Sequence, residues 1–322
     1  MSAATGTDAA GDERDLVHPA LLYSDVDSYL SATISFVRAG LRQGEPVLVA
    51  VPTPKLDLLR VELSGVADRV RFLDMAVAGS NPNRIIPWIL RAFVDEHAGR
   101  PVRVIVEPIW PGRPAAEVAL GVQHEALVNS AFAGRPATFL CPYDAAGLDP
   151  AILGYAARTH PVIDRDGQRR RSGAYTAPDL IVAALNQPLA EPPGPVEELV
   201  FDATGLRGVR LLLAEYGERA GLPADRIGHF QVAVNEIATN TLVHGGSPGT
   251  VRVWQQRDRL LCEVRGPGHI TDWLAGRIPP DGDRGCGRGL LVANRLCDLV
   301  QTYTGAGGTV TRLHMMLTAT TR

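Results

Sequence analysis

Short, mostly apolar runs recur through the first half of the chain, and the first of them is uninterrupted. They are PVLVAV (46–51), VRFLDM (70–75), VRVIVEPIW (102–110) and ATFLCPYD (137–144). Strands without polar alternation suit a sheet that is covered on both faces. Segments with helical spacing of their apolar positions separate these runs, at 26–42, 56–63, 87–97 and 117–132. Alternating strands and helices predict an α/β domain with a doubly wound, mainly parallel sheet.

A proline-rich segment divides the chain. Residues 186–197 (NQPLAEPPGPVE) carry four prolines, which is typical of a semi-rigid linker. A chain of 322 residues is long enough for two domains. We therefore predict an N-terminal domain at 16–185 and a C-terminal domain at 198–322. Residues 1–15 are small, polar and acidic, which predicts a disordered tail, and the charged stretch 164–173 (DRDGQRRRSG) predicts a loop.

Composition excludes several classes of function. The net charge of −3 gives no field that would attract nucleic acid. Lys55 is the only lysine, and no G-x-x-x-x-G-K-[ST] sequence is present, so we expect no phosphate loop of that type. The four cysteines form no C-x-x-C pair and have no histidines beside them in the sequence. The sequence therefore does not favour a zinc site. We see neither a signal peptide nor a membrane span and expect a cytoplasmic protein.

The second half of the chain has a different order of elements. A strand at ELVFD is followed by a helix at about 207–220 and another that ends near His244. VRVWQQ and LLCEVRG predict an antiparallel hairpin, 289–297 a helix, and GGTVTRLHMML a last strand. This order predicts an α+β domain with helices on one face of a sheet.

Three polar residues share one stripe of the helix that ends near His244. Glu236, Asn240 and His244 follow one another at intervals of four residues, which places them along one face. The Asn oxygen can complete the oxygen shell of Mg²⁺, and the carboxylate can orient or deprotonate a nucleophile. A solvated helix face has the same spacing, so the pattern alone leaves both interpretations open.

Glycines precede the last predicted helix. Gly282, Gly285, Gly287 and Gly289 stand in GDRGCGRGLLVANRLCD together with Arg288. Backbone amides of such a turn, together with the N-terminus of the helix, can bind phosphates. A plain surface loop is the alternative. Further upstream, the strand EVRGPGHI ends at Gly266-Pro267-Gly268, which alone indicates only a turn.

In this order, AVNEIATNTLVHG, EVRGPGHI and GCGRGLLVANRLCD resemble the three nucleotide-binding boxes of the Bergerat-fold ATPases (GHKL, or HATPase), and most closely those of the anti-sigma-factor serine kinases. The resemblance implies a Bergerat-fold sandwich that binds ATP and Mg²⁺. It implies Glu236 as the catalytic base and Asn240 as the metal ligand. Cofactor contacts are implied for Asn240, Gly266, Gly268, Gly285, Gly287, Arg288 and Gly289.

One position departs from that family. The resemblance implies an aspartate that accepts a hydrogen bond from the adenine amino group, and Gly266 stands at its place. Ile270 stands where the family has the second glycine of this box. Loss of a buried acceptor costs about 1–3 kcal/mol. ATP binding and kinase activity are therefore open from the sequence.

The first domain resembles the DcmR-type sensory (MEDS) domain, a relative of RecA-like folds. The segments that carry the resemblance are HPALLYSDVDSYL, GLRQGEPVLVAV, LCPYD and RTHP. The family implies that this domain senses a ligand or signal. Polar and aromatic residues that could surround a pocket are His18, Tyr23, Glu107, Trp110, Cys141, Tyr143 and His160, although for each of them alone ordinary packing or capping is the more common role.

Together these features predict a signalling regulator that transfers phosphate to, or sequesters, a sigma factor or an anti-anti-sigma protein. A catalytically inactive pseudokinase is the first alternative. A two-component histidine kinase is the second, and it is disfavoured because no phosphoacceptor helix precedes the ATPase-like domain. A homodimer is a further expectation.

Overall fold

The computed structural model describes residues 15–246, 248–279 and 288–317. Contacts group the chain into two units. The first comprises Met1–Met75, Arg91–Gly112 and Val128–Thr176, and the second comprises Ala76–Leu90, Arg113–Leu127 and Ala177–Arg322. The predicted disordered tail falls outside the described residues except for its last residue. Among the described residues, no helix combines the length and the apolar character that crossing a membrane requires.

The first unit is built on a seven-stranded sheet with the order β3-β2-β4-β5-β1-β6-β7. Its strands are β1 Pro19–Tyr23, β2 Val47–Val51, β3 Val70–Asp74, β4 Val102–Val106, β5 Ala137–Asp144, β6 Val162–Arg165 and β7 Gln168–Arg171. All neighbours are parallel except β6 and β7. The predicted mainly parallel sheet is confirmed.

Helices connect these strands in chain order. They are α1 Val26–Arg42, α2 Thr53–Glu62, α3 Met75–Ala78, α4 Arg91–Glu96, α5 Ala115–Ala131 and α6 Pro150–Thr159. Helix α1 begins directly after β1, at a capping box in which the Asp25 carboxylate accepts from the Ser28 amide at 2.7 Å. A carboxylate thus occupies the helix N-terminus at which a phosphate loop would bind an anion, in agreement with the absence of that motif.

One prediction in this region is wrong. The stretch 164–173 is not a loop, because β6 and β7 form a hairpin there. Asp166 and Gly167 make its turn with φ of 53° and 75°, as a two-residue hairpin turn requires. All four residues of β7 are exposed, which explains why the strand lacks apolar residues. The helix predicted at 87–97 is confirmed, although its first part, Ile85–Leu90, is a π-helical turn that continues into α4.

The second unit has a five-stranded antiparallel sheet with the order β11-β12-β10-β9-β8. Its strands are β8 Glu197–Phe201, β9 Gly249–Gln256, β10 Arg259–Gly266, β11 Leu299–Gly305 and β12 Gly308–Met316. Its helices include α7 Pro178–Leu185, α8 Leu206–Arg219, α9 Ala224–Gly245 and α10 Arg288–Leu296. The antiparallel sheet with helices confirms the predicted layout, although β11 was not predicted.

The core of the second unit lies between its sheet and its helices. Phe230 and Val234 of α9 are fully buried together with Val253 and Leu260 of the sheet. Helix α9 is central, because it contacts α8, α10 and three strands. This position fixes the polar stripe of α9 at the border of the core.

A short turn within the second unit holds the carboxyl end of α10. The Arg84 guanidinium donates to the carbonyl oxygens of Asn294 at 2.7 Å and Cys297 at 2.7 Å. Asn83 donates to the Asn294 side chain at 3.1 Å, and Asn81 donates to its backbone oxygen at 3.3 Å. Arg84 and Asn81 thus donate hydrogen bonds to carbonyl oxygens that have no partner within the helix.

Residues of the proline-rich segment contact the sheet of the second unit. The Asn186 side chain exchanges two hydrogen bonds with the Thr304 backbone, at 2.7 and 3.1 Å. Glu191 accepts from Arg252 at 2.8 Å and from Arg265 at 3.1 Å. The segment is thus attached at two points, while its position as the domain boundary stays a prediction.

Candidate functional site

A cavity of about 290 Å³ lies beside α9 in the second unit. This volume is at the lower limit for small-molecule sites. Its lining combines one helix face with the segment that follows β10 and with parts of α10 and β12: Asn240, Thr241, His244, Gly266, Gly268, Ile270, Asp272, Leu290, Thr309 and Thr311. The sequence-predicted residues Asn240, Gly266 and Gly268 are therefore brought together around one space.

Helix α9 presents its polar stripe unevenly to this cavity. Asn240 and His244 line it, whereas Glu236, one turn earlier, is half-buried and not part of the lining. The helix ends at Gly245, and the next residue, Gly246, is a left-handed C-cap with φ of 64°, a conformation that favours glycine. The carboxamide of Asn240 is thus the polar group of the predicted Glu–Asn pair that reaches the cavity directly.

The first turn of α10 lies against α9 at Gly289. A Cβ at this position would lie 2.2 Å from Asn240 Nδ2 and 3.3 Å from the Glu236 carbonyl oxygen. Gly289 therefore allows the close approach of the two helices, and it adjoins the Asn240 side chain. Arg288 is exposed at the start of the helix. Gly285 and Gly287 lie outside the described residues.

Gly266 faces Thr241 across the cavity wall. A Cβ on Gly266 would lie only 2.0 Å from Thr241 Cγ2. The Thr241 hydroxyl donates to the Ile237 carbonyl oxygen at 3.0 Å, which directs the methyl group toward Gly266. Gly266 itself is regular strand backbone paired with Thr309, so space and not backbone conformation excludes a side chain here. Sequence reasoning missed Thr241, the neighbour of Asn240 in the chain.

The segment after β10 is held by threonines. Thr309 Oγ1 donates to the Gly268 carbonyl oxygen at 2.7 Å, and the Ile270 amide donates to Thr304 Oγ1 at 3.3 Å. A Cβ on Gly268 would make ordinary contacts of 3.5 Å or more. Gly268 is therefore not sterically required, in contrast to Gly266 and Gly289.

The residues selected from the first domain form separate groups. His18 Nε2 lies 3.3 Å from Cys141 Sγ, and the ring centroids of His18 and His160 are 4.1 Å apart. The Tyr143 ring contacts His160 edge-on. No histidine stands beside a cysteine in the sequence, but the sheet brings His18 next to Cys141, 123 positions away.

A second group surrounds the single lysine. Lys55 contacts the Tyr23 hydroxyl and the Glu107 carboxylate. Glu107 is fully buried, and burial raises its pKa to about 7 although the Lys55 charge opposes the rise. Burial also raises the pKa of Tyr23. Trp110 is half-buried beyond the end of β4. Sequence reasoning missed Lys55 as the partner of Glu107, and its uniqueness was the available signal.

Comparisons with known proteins give two family matches along the chain. Residues 17–161 match the family model of the MEthanogen/methylotroph, DcmR Sensory domain (MEDS), and residues 199–315 match that of the histidine kinase-like ATPase domain. No curated protein sequence matches the chain.

Among solved structures, the chain is similar to the RsbU and RsbW domains of Rv1364c from Mycobacterium tuberculosis. The identity is 18% and the TM-score 0.30, and the alignment covers 65% of this chain and 50% of that chain. The chain thus spans about half the length of that structure. This chain carries a MEDS domain followed by a histidine kinase-like ATPase domain.

Proposed function

We propose that the chain is a cytoplasmic signalling regulator of the anti-sigma-factor kind. Its MEDS domain would sense a ligand, and its ATPase-like domain would bind a sigma factor or an anti-anti-sigma protein. Two observations support this proposal: the order of the two family matches, and a cavity that gathers Asn240, Gly266 and Gly268. A homodimer remains a prediction.

The residues around the cavity fit the phosphates and metal ion of Mg²⁺-ATP better than they fit its adenine base. Asn240 can give its carboxamide oxygen to Mg²⁺, and the first turn of α10 lies directly beside that side chain. At the place of the adenine-binding carboxylate, however, the Thr241 methyl group fills the space next to Gly266. The phosphate end therefore fits, and the base end lacks the acceptor that would select adenine.

If the domain is a kinase, its residues act mainly by position. The nucleotide would supply the phosphoryl group and Mg²⁺ the charge that stabilises its transfer. Asn240 would orient the metal-bound phosphates from the cavity wall. Glu236, half-buried one turn earlier, would accept the proton of a partner serine hydroxyl that approaches between α9 and α10.

The second candidate is a pseudokinase that sequesters its partner without phosphoryl transfer. The contact of Thr241 with Gly266 favours it, because a methyl group cannot accept a hydrogen bond from an exocyclic amine. Loss of such an acceptor weakens adenine binding and also discrimination between nucleotides. The two candidates predict different behaviour toward Mg²⁺-ATP.

Calorimetric titration of the full chain with Mg²⁺-ATP and Mg²⁺-GTP tests the proposal. We expect weak binding of both nucleotides, and Asn240→Ala should weaken it further. Asn235→Ala is the matched control, because Asn235 lies on the same helix and accepts from Arg210 at 2.8 Å outside the cavity. Equal affinity of wild type and Asn240→Ala would contradict the placement of Mg²⁺. Absence of all nucleotide binding, together with capture of a sigma-factor regulator, would favour the pseudokinase.

A further inference from the structure

Three residues that are far apart in the sequence meet inside the first unit. His18 immediately precedes β1, Cys141 lies on β5, and His160 follows α6 two residues before β6. Strand β1 pairs with both β5 and β6, in parallel, with Ala20 opposite Cys141 and Pro19 opposite Val162. The sheet order therefore places an imidazole, a thiol and a second imidazole on adjacent strands. We propose that these three side chains bind a thiophilic divalent metal ion, with Zn²⁺ as the expected occupant.

The donor atoms have the spacing of a metal site. Those of His18, Cys141 and His160 lie within 4.8 Å of one another, and all three residues are buried. Typical bonds of about 2.0–2.1 Å to nitrogen and 2.3 Å to sulfur in a tetrahedron place the two donors roughly 3.5 Å apart. The distance of 3.3 Å between His18 Nε2 and Cys141 Sγ is close to this value.

Surrounding hydrogen bonds select the same nitrogen on both rings. His18 Nδ1 lies 3.1 Å from Asn129 Oδ1, and the Asn129 amide is oriented by its own bond to the Thr159 carbonyl oxygen at 2.8 Å. His160 Nδ1 lies 2.9 Å from the Ala156 carbonyl oxygen. A hydrogen on each Nδ1 gives Nε2 the lone pair that a metal requires. Metal-binding histidines usually have such outer hydrogen-bond partners, which fix the ring orientation.

The donor set restricts the kind of metal. One thiolate and two imidazoles suit Zn²⁺ or copper and are poor ligands for Mg²⁺ and Ca²⁺. On binding, the Cys141 thiol would release its proton to solvent and form the sulfur–metal bond, while both histidines stay neutral. A tetrahedral ion would take one further donor in addition to these three residues. The alternative is a buried cluster in which the Cys141 thiol donates to His18 Nε2.

Metal content of the purified full chain distinguishes these possibilities. We expect stoichiometric zinc by elemental analysis. After removal by a chelator, reloading with Co²⁺ should give the near-ultraviolet charge-transfer absorption of a cobalt–thiolate bond. Copper in the purified chain, with intense visible thiolate–copper absorption, would support the site and replace zinc as the occupant. Absence of metal in the purified chain, and no charge-transfer absorption with Co²⁺ or Cu²⁺, would overturn the proposal.

Variants separate ligation from a general loss of structure. Cys141→Ser should abolish the thiolate absorption, whereas Cys262→Ser, a fully buried strand cysteine of the second unit, should leave it unchanged. If Cys141→Ser fails to fold, Asn129→Ala provides the test without removing a ligand. Its metal affinity should fall about 10- to 100-fold, as is typical when an outer partner of a ligating histidine is lost. If Asn129→Ala bound the metal as tightly as wild type, the proposal that Asn129 orients His18 as a metal ligand would be contradicted.

Discussion

A buried acid in the first unit and a buried base in the second unit both have strongly shifted pKa values. At the carboxyl end of the parallel strands, the first unit encloses the acid Glu107 with one lysine beside it, and burial raises the pKa of its carboxyl group to about 7. In the antiparallel sheet, the second unit encloses the base His314, and burial, with Arg259 and Arg312 nearby, lowers its pKa to about 3. In both places the surroundings therefore favour the neutral form of the side chain. Since one group is an acid and the other a base, the stabilities of the two units should respond oppositely to pH.

The largest expected effect concerns His314. The folded state keeps it neutral while the unfolded state protonates near pH 6.5, so its stabilising contribution is present above that pH and is lost as pH falls toward 3. The loss should be on the order of 4 kcal/mol between pH 7 and pH 3. His314→Gln should reduce the loss, measured as hydrogen-exchange protection of β12. His229→Gln, at an exposed position of α9, should behave as wild type. If both variants lost protection equally as the pH falls, His314 would not be the cause of the acid sensitivity of the second unit.

Glu107 should give the opposite slope in the first unit. Its folded pKa of about 7 lies above the unfolded value, so the folded state binds the proton more tightly. The stabilising contribution is complete below about pH 4.5 and decreases by roughly 3 kcal/mol as pH rises through 7. Glu107→Gln should flatten this decrease, seen in the exchange of β4 amides. Glu96→Gln is the control, because Glu96 is an exposed partner of Arg71, which lowers its carboxyl pKa.

Steric overlap between a side chain at position 266 and Thr241 should change the free energy of unfolding by a smaller amount. Gly266→Asp places a Cβ against Thr241 Cγ2, and overpacking of this kind costs about 1–3 kcal/mol. Thr241→Ala removes the obstructing methyl group, so the double variant should recover stability and bind ATP more tightly than wild type, with GTP little changed. Thermal unfolding and nucleotide titration of the four proteins measure both effects. A single variant Gly266→Asp that is fully stable would contradict the contact.

The smallest effect on stability is expected at Gly289. A methyl group there meets the end of the Asn240 side chain, which can rotate away at a cost of about 1 kcal/mol or less. Gly289→Ala should nevertheless weaken Mg²⁺-dependent nucleotide binding, because Asn240 would leave its position. Gly228→Ala, on α9 with open space around the position, should be neutral or stabilising by about 0.5 kcal/mol. Similar nucleotide affinities of the two variants would exclude this role of Gly289.

How far the sequence predicted each site depends on the distance along the chain between its residues. Glu236 and Asn240 are one helical turn apart, so helix geometry alone placed them on one face. Their unequal access to the cavity depends on α10, and this could not be read from spacing. The contact between Thr241 and Gly266 also needed a structure, because it depends on a distance across the cavity wall.

The histidine–cysteine cluster was beyond local patterns. His18 and Cys141 are 123 positions apart and become neighbours only through the pairing of β1 with β5. Strand β1 was not recognised, and β6 begins just before a stretch interpreted as a loop. The apolar runs predicted a parallel sheet correctly, but strand order is not encoded in any single run. A site formed by three adjacent strands therefore required the topology.

The turn at residues 81–84 has a consequence for how such proteins can be recombined. Asn81, Asn83 and Arg84 lie within the range that matches the MEDS family. Asn81 and Arg84 nevertheless donate to the carbonyl oxygens of Asn294 and Cys297 at the carboxyl end of α10, and Asn83 donates to the Val300 carbonyl oxygen of β11. A gene fusion that joined a foreign sensory domain at residue 186 would remove these donors and leave that helix end unpaired. Exchange of sensory halves among relatives would thus preserve the fold only where the incoming half supplies an equivalent Asn-Pro-Asn-Arg turn.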